Sequence, residues 1–553
     1  MPQKAIFHRS PLMRLKRVPL SHGQIRVRDA KLETLYARIA RETEQHLETW
    51  EGAFGLACLL RDHPLEEPVA RVIRESVFRN AEGAFPGDWE AQIATACAAL
   101  ALHFFQPDRG ILQRLASWCR ALEANWDEVM AQRSIRVRPA DLMRFLVTFY
   151  RVTGLPAVLR LCERLRASAM DWTTVLQEFR QRIPIEKQYQ RDELERLTAE
   201  SDADETDYFA RQLMINDAEL LADGLRYTVF AAMFSGNGQD LTAGHNGWSA
   251  IERDHGAVCG GTTGERFLAG RGTDRKISTR VAAAWAEAFA EAMQMDHASW
   301  AADALTRLAF NALPACVSGE RILSIQRVNG PEDAGPEASP AVLGRLARAW
   351  AKIYGACVMP MEDGIGIRLL LEGTYAVTFH QQMVSVQMQK EAIVIRSGCS
   401  ENLPVRLYCA ATETRLISSG DSQAQNGPND TGFGRQMEMI VPAGQQRMLS
   451  FSDTSALRVL ETYHQGLCVI RGNELMVLDA REEGFGFAAC GEPFSKDGKI
   501  VLPVRRADAW KERDGIPADL PVRPEGSGEL QEKTLKPYVQ TPCRIAVFPR
   551  ERA

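Results

Sequence analysis

The chain has 553 residues, of which 45% are hydrophobic and 25% are charged, and its formal net charge is −5. This composition is ordinary for a globular protein and excludes a mainly disordered, collagen-like or fibrous chain. A mildly acidic chain has no global attraction to nucleic acid, so no nucleic-acid partner is expected. At roughly 150 residues per domain, the length predicts about two to four domains.

The twelve cysteines occur singly, with no CxxC and no Cys/His pair at the spacing of zinc ligands. We therefore expect reduced thiols, no metal site and no cofactor. The first twenty residues are basic but lack a continuous apolar stretch, which makes a poor secretory signal and favours a cytoplasmic location. No run of about 18 apolar residues occurs, so no membrane span and no membrane partner are expected.

Helical periodicity dominates up to about residue 355. Leu142, Phe145, Leu146 and Phe149 recur at i, i+3, i+4 and i+7, which predicts one apolar helix stripe. Gly154 follows at once, as a helix stop should. Alanine-rich segments at 91–104, 281–293 and 343–354 permit close helix packing. The region is therefore predicted to be many helices joined in hairpins.

After residue 360 the period changes to that of β-strands. Short β-branched segments at 365–379, 384–389, 392–397, 405–410 and 436–442 are separated by turn residues, which is typical of a β-sandwich. A last strand is predicted at 543–549. We predict a helical domain over residues 1–355, a β-sandwich over 356–510, and a linker with closing strands over 511–553.

The most unusual segment is 236–279, which is glycine-rich and predicted to be a long loop between helices. Glycine permits positive φ and close approach of a ligand, and long loops often carry function. The alternative is a merely flexible connector. The segment interleaves its glycines with residues able to stack on a sugar ring, hold hydroxyl groups or move protons: His245, Trp248, Glu252, Asp254, His255, Glu265, Arg266 and Asp274.

Glu265 is the first candidate for a general acid. It precedes Phe267 and Leu268, and an apolar neighbourhood would raise its pKa. Since glycoside hydrolysis normally needs two carboxyl groups, Asp254, Glu252 and Asp274 are candidate partners. The alternative for each is a surface charge or a helix cap.

Asp217 is a third candidate, on the helical segment 206–234. It either projects into the mouth of the helical domain or caps a helix end. The predicted catalytic set is thus Glu265, Asp254 and Asp217. The predicted substrate-binding residues are His245, Trp248, His255 and Arg266.

Several segments, in order, resemble the β-L-arabinofuranosidase-like proteins of glycoside hydrolase family 127. They are CGGTTGERFLAG at 259–270, LAFNALPA at 308–315, LARAWAKIYG at 346–355, HQGLCVIRGNELMVL at 464–478 and LKPYVQTPCRIAVFP at 535–549. The resemblance implies an (α/α)6 toroid followed by all-β sandwich domains. It also implies hydrolysis of a non-reducing-end sugar, possible homodimers, and Glu265 as general acid/base.

The chain departs from that family at its metal site. Characterised relatives use a zinc-bound cysteine as nucleophile. The family's Glu-x-Cys ligands fall on Thr279 and Val281, and its Cys-Cys pair falls near Ala338 and Ser339. A thiolate nucleophile needs a real thiol, so the zinc–cysteine mechanism cannot be carried over. Cys259 is a possible substitute thiol, although a lone cysteine is more often inert.

Three functions stay open from the sequence. The first is a hydrolase that releases a sugar, such as an arabinofuranoside, from an oligosaccharide by carboxylate acid/base chemistry. The second is a lyase or epimerase, with His245 or His255 as base. Arg253, Arg266 or Arg271 would then neutralise a carboxylated sugar. The third is a catalytically degenerate protein that binds glycans or proteins.

Overall fold

The computed structural model describes most of the chain. The described residues are 24–42, 45–61, 68–79, 84–188, 208–273, 275–295, 299–330, 336–409, 417–419, 429–430, 435–451, 457–462, 466–484, 486–507, 511–513, 516–519, 521 and 523–552.

Helices dominate the part of the chain before residue 358. They are α1 (Ala30–Glu42), α2 (Trp50–Leu60), α3 (Pro68–Phe78), α4 (Trp89–Phe105), α5 (Arg109–Ala124), α6 (Trp126–Ala131), α7 (Arg133–Val137), α8 (Ala140–Thr153), α9 (Pro156–Ser168), α10 (Trp172–Gln177), α11 (Tyr208–Met214), α12 (Ala218–Ser235), α13 (Gly238–His255), α14 (Thr279–Ala292), α15 (Ser299–Arg307), α16 (Leu313–Ala315) and α17 (Pro340–Cys357). A π-helical turn (Leu308–Ala312) joins α15 to α16.

Six of the described helices form a closed ring. The helices α2, α4, α8, α12, α14 and α17 pack in that order, and α17 returns to α2. A second set packs against ring members: α1, α3, α5, α9, α13 and α15. The inner helices α12 and α14 are buried on all sides, as expected of helices enclosed by others. The helical part is therefore a toroid.

Local sequence signals set the helix limits. The predicted stripe of α8 is confirmed, because Leu142, Phe145, Leu146 and Phe149 are all buried. The predicted stop is also confirmed, since Gly154 ends α8 with φ of 66°, a conformation that glycine adopts without a Cβ clash.

Two sheets are built mainly from the residues that follow the toroid. The first has the strand order β1–β8–β9–β10–β15–β12, and the second has the order β13–β14–β11–β7–β6. The parallel pair is β7–β11, and the other neighbours are antiparallel. Their strands are β1 (Ile25–Arg26), β6 (Val358–Met361), β7 (Gly364–Ile367), β8 (Gly373–Phe379), β9 (Gln382–Met388), β10 (Ala392–Ser397), β11 (Leu403–Cys409), β12 (Ile417–Ser419), β13 (Asn429–Asp430), β14 (Arg435–Val441) and β15 (Gln446–Phe451).

A third sheet follows, with the order β16–β17–β18–β24–β21–β19, and with β20 and β25 attached to β21 and β18. Its strands are β16 (Leu457–Glu461), β17 (Leu467–Arg471), β18 (Glu474–Asp479), β19 (Phe487–Ala489), β20 (Phe494–Lys496), β21 (Lys499–Arg506), β24 (Ser527–Pro537) and β25 (Arg544–Ile545). Short two-stranded pairs join β2 (Lys276–Ser278) to β5 (Ile325–Arg327), β3 (Val317–Ser318) to β4 (Arg321–Ile322), and β22 (Lys511–Arg513) to β23 (Ile516–Asp519).

The predicted fold class, a helical toroid followed by β domains, is confirmed. The predicted strand at 392–397 is β10 itself. The predicted strand at 365–379 was wrong in one respect, because residues 368–372 interrupt it where the chain crosses from one sheet to the other. The predicted last strand at 543–549 is shorter, since only Arg544–Ile545 pair continuously.

Buried asparagines join the toroid to the third sheet. Asn311 Oδ1 accepts a hydrogen bond from the Leu475 amide at 2.8 Å, and its amide group donates to the Asn473 carbonyl at 3.1 Å. Asn329 Oδ1 accepts from the amides of Ala546 and Val547. The closing segment of the chain therefore holds the sheet against the toroid.

The domain boundaries at 355 and 510 stay predictions. One strand from the first predicted domain lies in a sheet of the second, because β1 precedes the helices in the chain and pairs with β8. In the described parts of the chain, no helix combines the length and apolar character needed to cross a membrane.

Candidate active site

Among the described residues, thirteen charged side chains lie inside the ring, and we call them the axis cluster. Its six carboxylates are Glu51, Asp141, Glu219, Asp223, Glu287 and Glu291, and its seven cations are Arg138, Arg144, Arg226, Arg280, Arg345, Arg348 and Lys352. Arg348 on α17 lies 3.4 Å from Asp141 on α8, although these helices are not neighbours in the ring. The cluster therefore spans the inside of the toroid.

Arg226 is the buried centre of the axis cluster, with 1% of its side chain exposed. Its Nε donates to Glu291 at 2.8 Å, and its terminal nitrogens donate to Asp141 at 2.7 Å and Asp223 at 3.2 Å. Burial alone would raise the pKa of the Asp141 carboxyl, but the charges of Arg226 and Arg348 outweigh it and hold the pKa well below its usual range. Asp141 is therefore an ionised carboxylate at neutral pH.

Glu219 is shared by three guanidinium groups. Its Oε1 lies 2.7 Å from Arg280, 2.8 Å from Arg345 and 3.3 Å from Arg138. Burial would raise the pKa of this carboxyl, but the three positive charges outweigh it and lower the pKa to about 2. Arg345 also pairs with Asp223 and Glu287, and Arg138 lies 3.7 Å from Asp223, so these three cations face three carboxylates.

A cavity of about 480 Å³ opens onto the axis cluster, and we call it the inner lobe. It is large enough for a sugar residue. Its charged lining residues are Glu48, Glu51, Asp88, Glu90, Arg138, Asp141, Arg280, Arg345 and Arg348. Cys97 also lines it. Burial raises the pKa of the Cys97 thiol to about 12, so this thiol is a poor nucleophile.

A second cavity of about 540 Å³, the outer lobe, shares wall residues with the inner lobe: Asp88, Glu90, Ser134 and Arg138. Asp217 and Arg266 also line it, together with Arg133. The two lobes form one cleft, and Arg138 stands where they meet.

Asp217 is the buried carboxyl of the outer lobe. Its Oδ1 caps α12 by accepting the amides of Glu219 and Leu220 at 3.0 Å, and its Oδ2 accepts from Arg266 Nε at 3.1 Å. Burial raises the pKa of this carboxyl, and the charge of Arg138 offsets that rise only in part. Both readings of Asp217 from the sequence therefore apply, because it caps a helix and also lines a cavity.

Glu265 stands at a tight turn outside this cleft. Gly264, with φ of 115°, makes the turn, and a Cβ there would lie 1.9 Å from the Phe267 carbonyl oxygen. The side chain of Glu265 is 51% exposed and pairs with Lys276. The apolar neighbourhood expected for Glu265 was wrong, since solvent and an ammonium group surround it.

Asp254 lies at the end of α13 and is held by Arg253 through two hydrogen bonds. The hydrogen bond from Arg253 lowers the pKa of this carboxyl. Neither Glu265 nor Asp254 lines either lobe of the cleft. Glu252 pairs with Arg307, and Asp274 lies outside the described residues.

The three predicted aromatic binding residues take structural positions. Trp248 is 2% exposed and packs against Trp285 and Phe289 with ring centroids 4.8 and 4.6 Å apart. His245 stacks on Trp300 at 5.0 Å, and burial lowers its pKa.

His255 is buried with both ring nitrogens engaged. Its Nδ1 accepts from the Gly270 amide at 3.0 Å, which fixes the neutral form that donates from Nε2 to the Gln181 carbonyl at 2.9 Å. Burial lowers its pKa, which is consistent with that form. His255 therefore ties the glycine-rich segment to the toroid. The role predicted for these histidines and Trp248 in binding stays a prediction.

The predicted long loop at 236–279 was wrong for its first half, because residues 238–255 form α13. Two glycines of this helix, Gly244 and Gly247, allow close packing. A Cβ on Gly244 would lie 2.8 Å from Thr228 Oγ1, and one on Gly247 would lie 2.8 Å from the Leu176 side chain. The second half, from Gly256 to Thr273, is the loop that carries Arg266 to Asp217.

The four positions matched to the zinc and cysteine residues hold Thr279, Val281, Ala338 and Ser339, none of which is a usual zinc ligand. Thr279 is buried and donates its hydroxyl to the Leu323 carbonyl at 2.6 Å. Val281 and Ala338 are buried, and Ser339 precedes α17. Across the described ranges, no group of three or more His, Cys, Asp or Glu residues is placed to hold a metal ion. Cys259 is fully buried, and burial raises its pKa.

Sequence reasoning missed the axis cluster, although a signal was present. Charged residues recur with helical spacing within the alanine-rich inner helices, whose other residues are small or apolar. They are Glu219, Asp223 and Arg226 on α12, Arg280, Glu287 and Glu291 on α14, and Arg345, Arg348 and Lys352 on α17. A charged stripe on a helix that is otherwise apolar indicates a polar interior rather than a solvent face.

No family model matches the chain, and no curated protein sequence matches it. Solved structures do match over nearly the whole length. A protein described as a glycoside hydrolase is 12% identical with a TM-score of 0.69, covering 97% of this chain and 98% of its own. A glycoside hydrolase family 127 β-arabinofuranosidase is 12% identical with a TM-score of 0.64, with the same coverage.

A family 127 β-L-arabinofuranosidase from Geobacillus stearothermophilus T6 is 13% identical with a TM-score of 0.63, covering 99% of this chain and 96% of its own. At these identities the likeness establishes the fold and not the chemistry. The resemblance found in the sequence motifs is thereby confirmed at the level of structure. This chain has the whole-length fold of the glycoside hydrolases of family 127.

Proposed function

We propose that this protein is a glycoside hydrolase that releases a sugar from the non-reducing end of an oligosaccharide by carboxylate acid/base chemistry. The observation that carries the proposal is the cleft on the axis cluster, whose walls hold two carboxyl groups with pKa values shifted in opposite directions. Asp217 has a raised pKa and Asp141 a strongly lowered one. Such a separation of pKa values is what an acid and an ionised partner require.

In this proposal Asp217 donates the proton to the departing glycosidic oxygen. Burial in the wall of the outer lobe raises the pKa of this carboxyl, which makes it easier to protonate than Asp141. Asp141 on the inner lobe stays ionised and supplies negative charge toward the positive charge that develops on the sugar ring. Water then attacks the anomeric carbon and gives its proton to the Asp217 carboxylate, which releases the free sugar and restores the acid. Glu265 and Asp254 are retained as alternative acids on the glycine-rich loop and on α13.

A product assay with matched variants tests the proposal. The substrates are p-nitrophenyl arabinofuranosides and plant-type oligosaccharides, with the released sugar separated by chromatography. Asp217→Asn keeps the capping oxygen but removes the proton, so we expect turnover to fall by about 100-fold or more. Asp171→Asn is the matched control, because Asp171 caps α10 in the same way and is exposed to solvent.

The other variants identify the acid if it is not Asp217. Loss of activity in Glu265→Gln or Asp254→Asn, with Asp217→Asn unaffected, would move the acid to that residue. An equal loss in Asp171→Asn would show that capping, and not proton transfer, explains the effect.

A second candidate function is glycan binding without catalysis. It is favoured by the pairing of the inner-lobe carboxylates Glu51 and Asp141 with guanidinium groups. Its signature would be binding of a saccharide that wild-type protein does not cleave.

A further inference from the structure

Most of the carboxyl groups that line the cleft are engaged by the protein itself. Among the described residues the lining carboxyl groups are Glu48, Glu51, Asp88, Glu90, Asp141 and Asp217. Glu51 and Asp141 are held by guanidinium groups of the axis cluster. Asp88 and Asp217 accept backbone amides as helix caps, and Glu48 lies 3.4 Å from His46. The exception is Glu90, whose carboxylate makes no hydrogen bond and no ion pair in the described part of the chain.

Glu90 stands where the two lobes meet. It is exposed, lies in the first turn of α4 and lines both lobes. The proposed acid, Asp217, lines the outer lobe, whereas Asp141 lines the inner lobe. A glycoside with its terminal sugar in the inner lobe and its leaving group in the outer lobe therefore has its scissile bond at the junction, beside Glu90.

Free oxygen lone pairs decide which of these carboxylates can form a bond to a sugar. Asp141 lies 2.7 Å from Arg226 and 3.4 Å from Arg348, and withdrawing it from these partners would leave buried charges unpaired, which is costly. Glu90 has no such partner to give up, and its position at the start of α4 is one at which the helix dipole favours negative charge. A carboxylate nucleophile requires an uncommitted oxygen of this kind.

We propose that Glu90 is the nucleophile of the hydrolase and attacks the anomeric carbon at the junction of the two lobes. This inference rests on the proposed function and gives Asp217 the second reacting carboxyl group that glycoside hydrolysis uses.

The reaction then has two displacements at one carbon. In the first, a Glu90 oxygen bonds to the anomeric carbon, the glycosidic bond breaks, and the departing oxygen takes the proton of Asp217. In the second, water gives a proton to the Asp217 carboxylate while the water oxygen displaces the Glu90 ester oxygen. The sugar leaves, both carboxyl groups return to their starting states, and the anomeric configuration is retained.

The stereochemistry of wild-type turnover tests this sequence of steps. The substrates are the two anomers of p-nitrophenyl arabinofuranoside, and methanol is added as an acceptor so that the product is a stable methyl glycoside. We expect the methyl glycoside, identified by proton NMR, to have the configuration of the anomer that was cleaved. Inversion would mean a single displacement, in which no carboxylate of the protein bonds to the sugar.

The variant Glu90→Ala removes the nucleophile and leaves space for a small anion. We expect its turnover to fall by about 1,000-fold or more. Sodium azide should restore cleavage by attacking in place of the carboxylate, which yields a glycosyl azide of inverted configuration. A merely structural role of Glu90 would not produce this azide. The control is Glu33→Ala, which removes an exposed first-turn glutamate of α1 outside the cleft and should leave turnover unchanged.

A covalent probe identifies the reacting residue independently. A deoxyfluoro arabinofuranosyl fluoride passes the first displacement readily, because fluoride is a good leaving group, and is released slowly in the second. Peptide mass spectrometry of the treated wild-type protein should find the sugar on Glu90.

The outcomes separate this inference from the hydrolase proposal. Release of sugar by the wild type with inversion, with Glu90→Ala unimpaired or not rescued by azide, or with the probe on another residue supports the hydrolase and overturns the role of Glu90. A wild-type protein that releases no sugar overturns both. Retention, the inverted azide and a probe adduct on Glu90 together establish it as the nucleophile.

Discussion

Arg226 shows how the protein keeps charged groups inside the toroid. Its guanidinium is buried and donates to carboxylates from three inner helices, so desolvation is offset by several short contacts. Removing one partner of such a set leaves the others buried and unpaired, which costs far more than the loss of a surface pair.

The first prediction concerns that residue. Arg226→Met should lower the free energy of unfolding by about 3–5 kcal/mol, because Asp141, Asp223 and Glu291 lose their shared cation. Urea denaturation followed by tryptophan fluorescence measures the change. The control is Arg160→Met, whose exposed side chain lies 3.5 Å from Glu123 and should contribute no more than about 1 kcal/mol. Equal shifts in the two variants would contradict the prediction.

Residue chemistry was only partly predictable from the sequence. Asp217 was identified as a candidate because a helix-capping aspartate next to an apolar face is visible in the sequence. The apolar surroundings of Glu265 were not realised, since the turn at Gly264 directs that side chain to Lys276 and solvent. Pairing between distant helices, such as Arg348 with Asp141, depends on the closed ring and has no local signal.

At the scale of the elements, glycine lets inner and outer helices approach closely. A Cβ on Gly224 of α12 would lie 2.4 Å from the Trp172 ring, which is fully buried and cannot move aside. Gly224 is thus one point of close contact between α10 and α12.

The second prediction follows from this contact. Gly224→Ala should destabilise the protein by about 1–3 kcal/mol through overpacking, despite the higher helix propensity of alanine. Gly238→Ala is the control, because a Cβ at the start of α13 meets no atom within 4 Å in the described structure. That control should be neutral or slightly stabilising. Thermal unfolding of the two variants, measured side by side, checks the direction of the stability change in each. A Gly224→Ala variant as stable as the wild type would refute the packing argument.

Helix existence was predicted well where an apolar stripe was present, as in α8. The helix α13 was not predicted, because its glycine, asparagine and histidine residues were interpreted as loop residues. The packing of Gly244 and Gly247 against Thr228 and Leu176 overrides that local preference. Tertiary contacts therefore make α13 helical, although its sequence predicted a loop.

At the scale of the whole molecule, the axis cluster links stability to pH. Burial opposes ionisation of its carboxylates, but their arginine partners lower the pKa values of Glu51, Asp141, Glu219, Glu287 and Glu291 below the ordinary ones. A group whose folded pKa is depressed stabilises the folded state above its unfolded pKa. That stability is lost as the pH falls through the folded pKa.

The third prediction is a steep loss of stability in acid. The melting temperature should be nearly constant between about pH 6 and 8 and fall progressively from about pH 5 toward pH 2, where Glu219 takes up its proton. The raised pKa of Asp217 favours the folded state at low pH, but it is the contribution of a single group and is outweighed by the five carboxylates. Thermal scans across this range check the profile. In the Glu287→Gln variant the melting temperature should fall less steeply in acid, because one buried carboxylate is gone. In the Glu438→Gln variant, which changes an exposed carboxylate, the fall should be the same as in the wild type.

The change from helical to strand periodicity along the sequence predicted the architecture of the whole molecule, because the helices end and the main strands begin near residue 358. It gave no indication that Ile25 and Arg26 leave the helical part to pair with Tyr375 and Thr374. A two-residue strand has too little sequence pattern to be recognised, and its partner lies about 350 residues away.

That pairing sets an order for assembly during synthesis. The edge strand β1 is made long before β8, and at ribosomal speeds of about 5–20 residues per second its partner emerges roughly 20–70 s later. The strand β1 therefore has no partner while the helices of the toroid are being synthesised. The pairing of Ile25 with Tyr375 can form only after strand β8 has been synthesised.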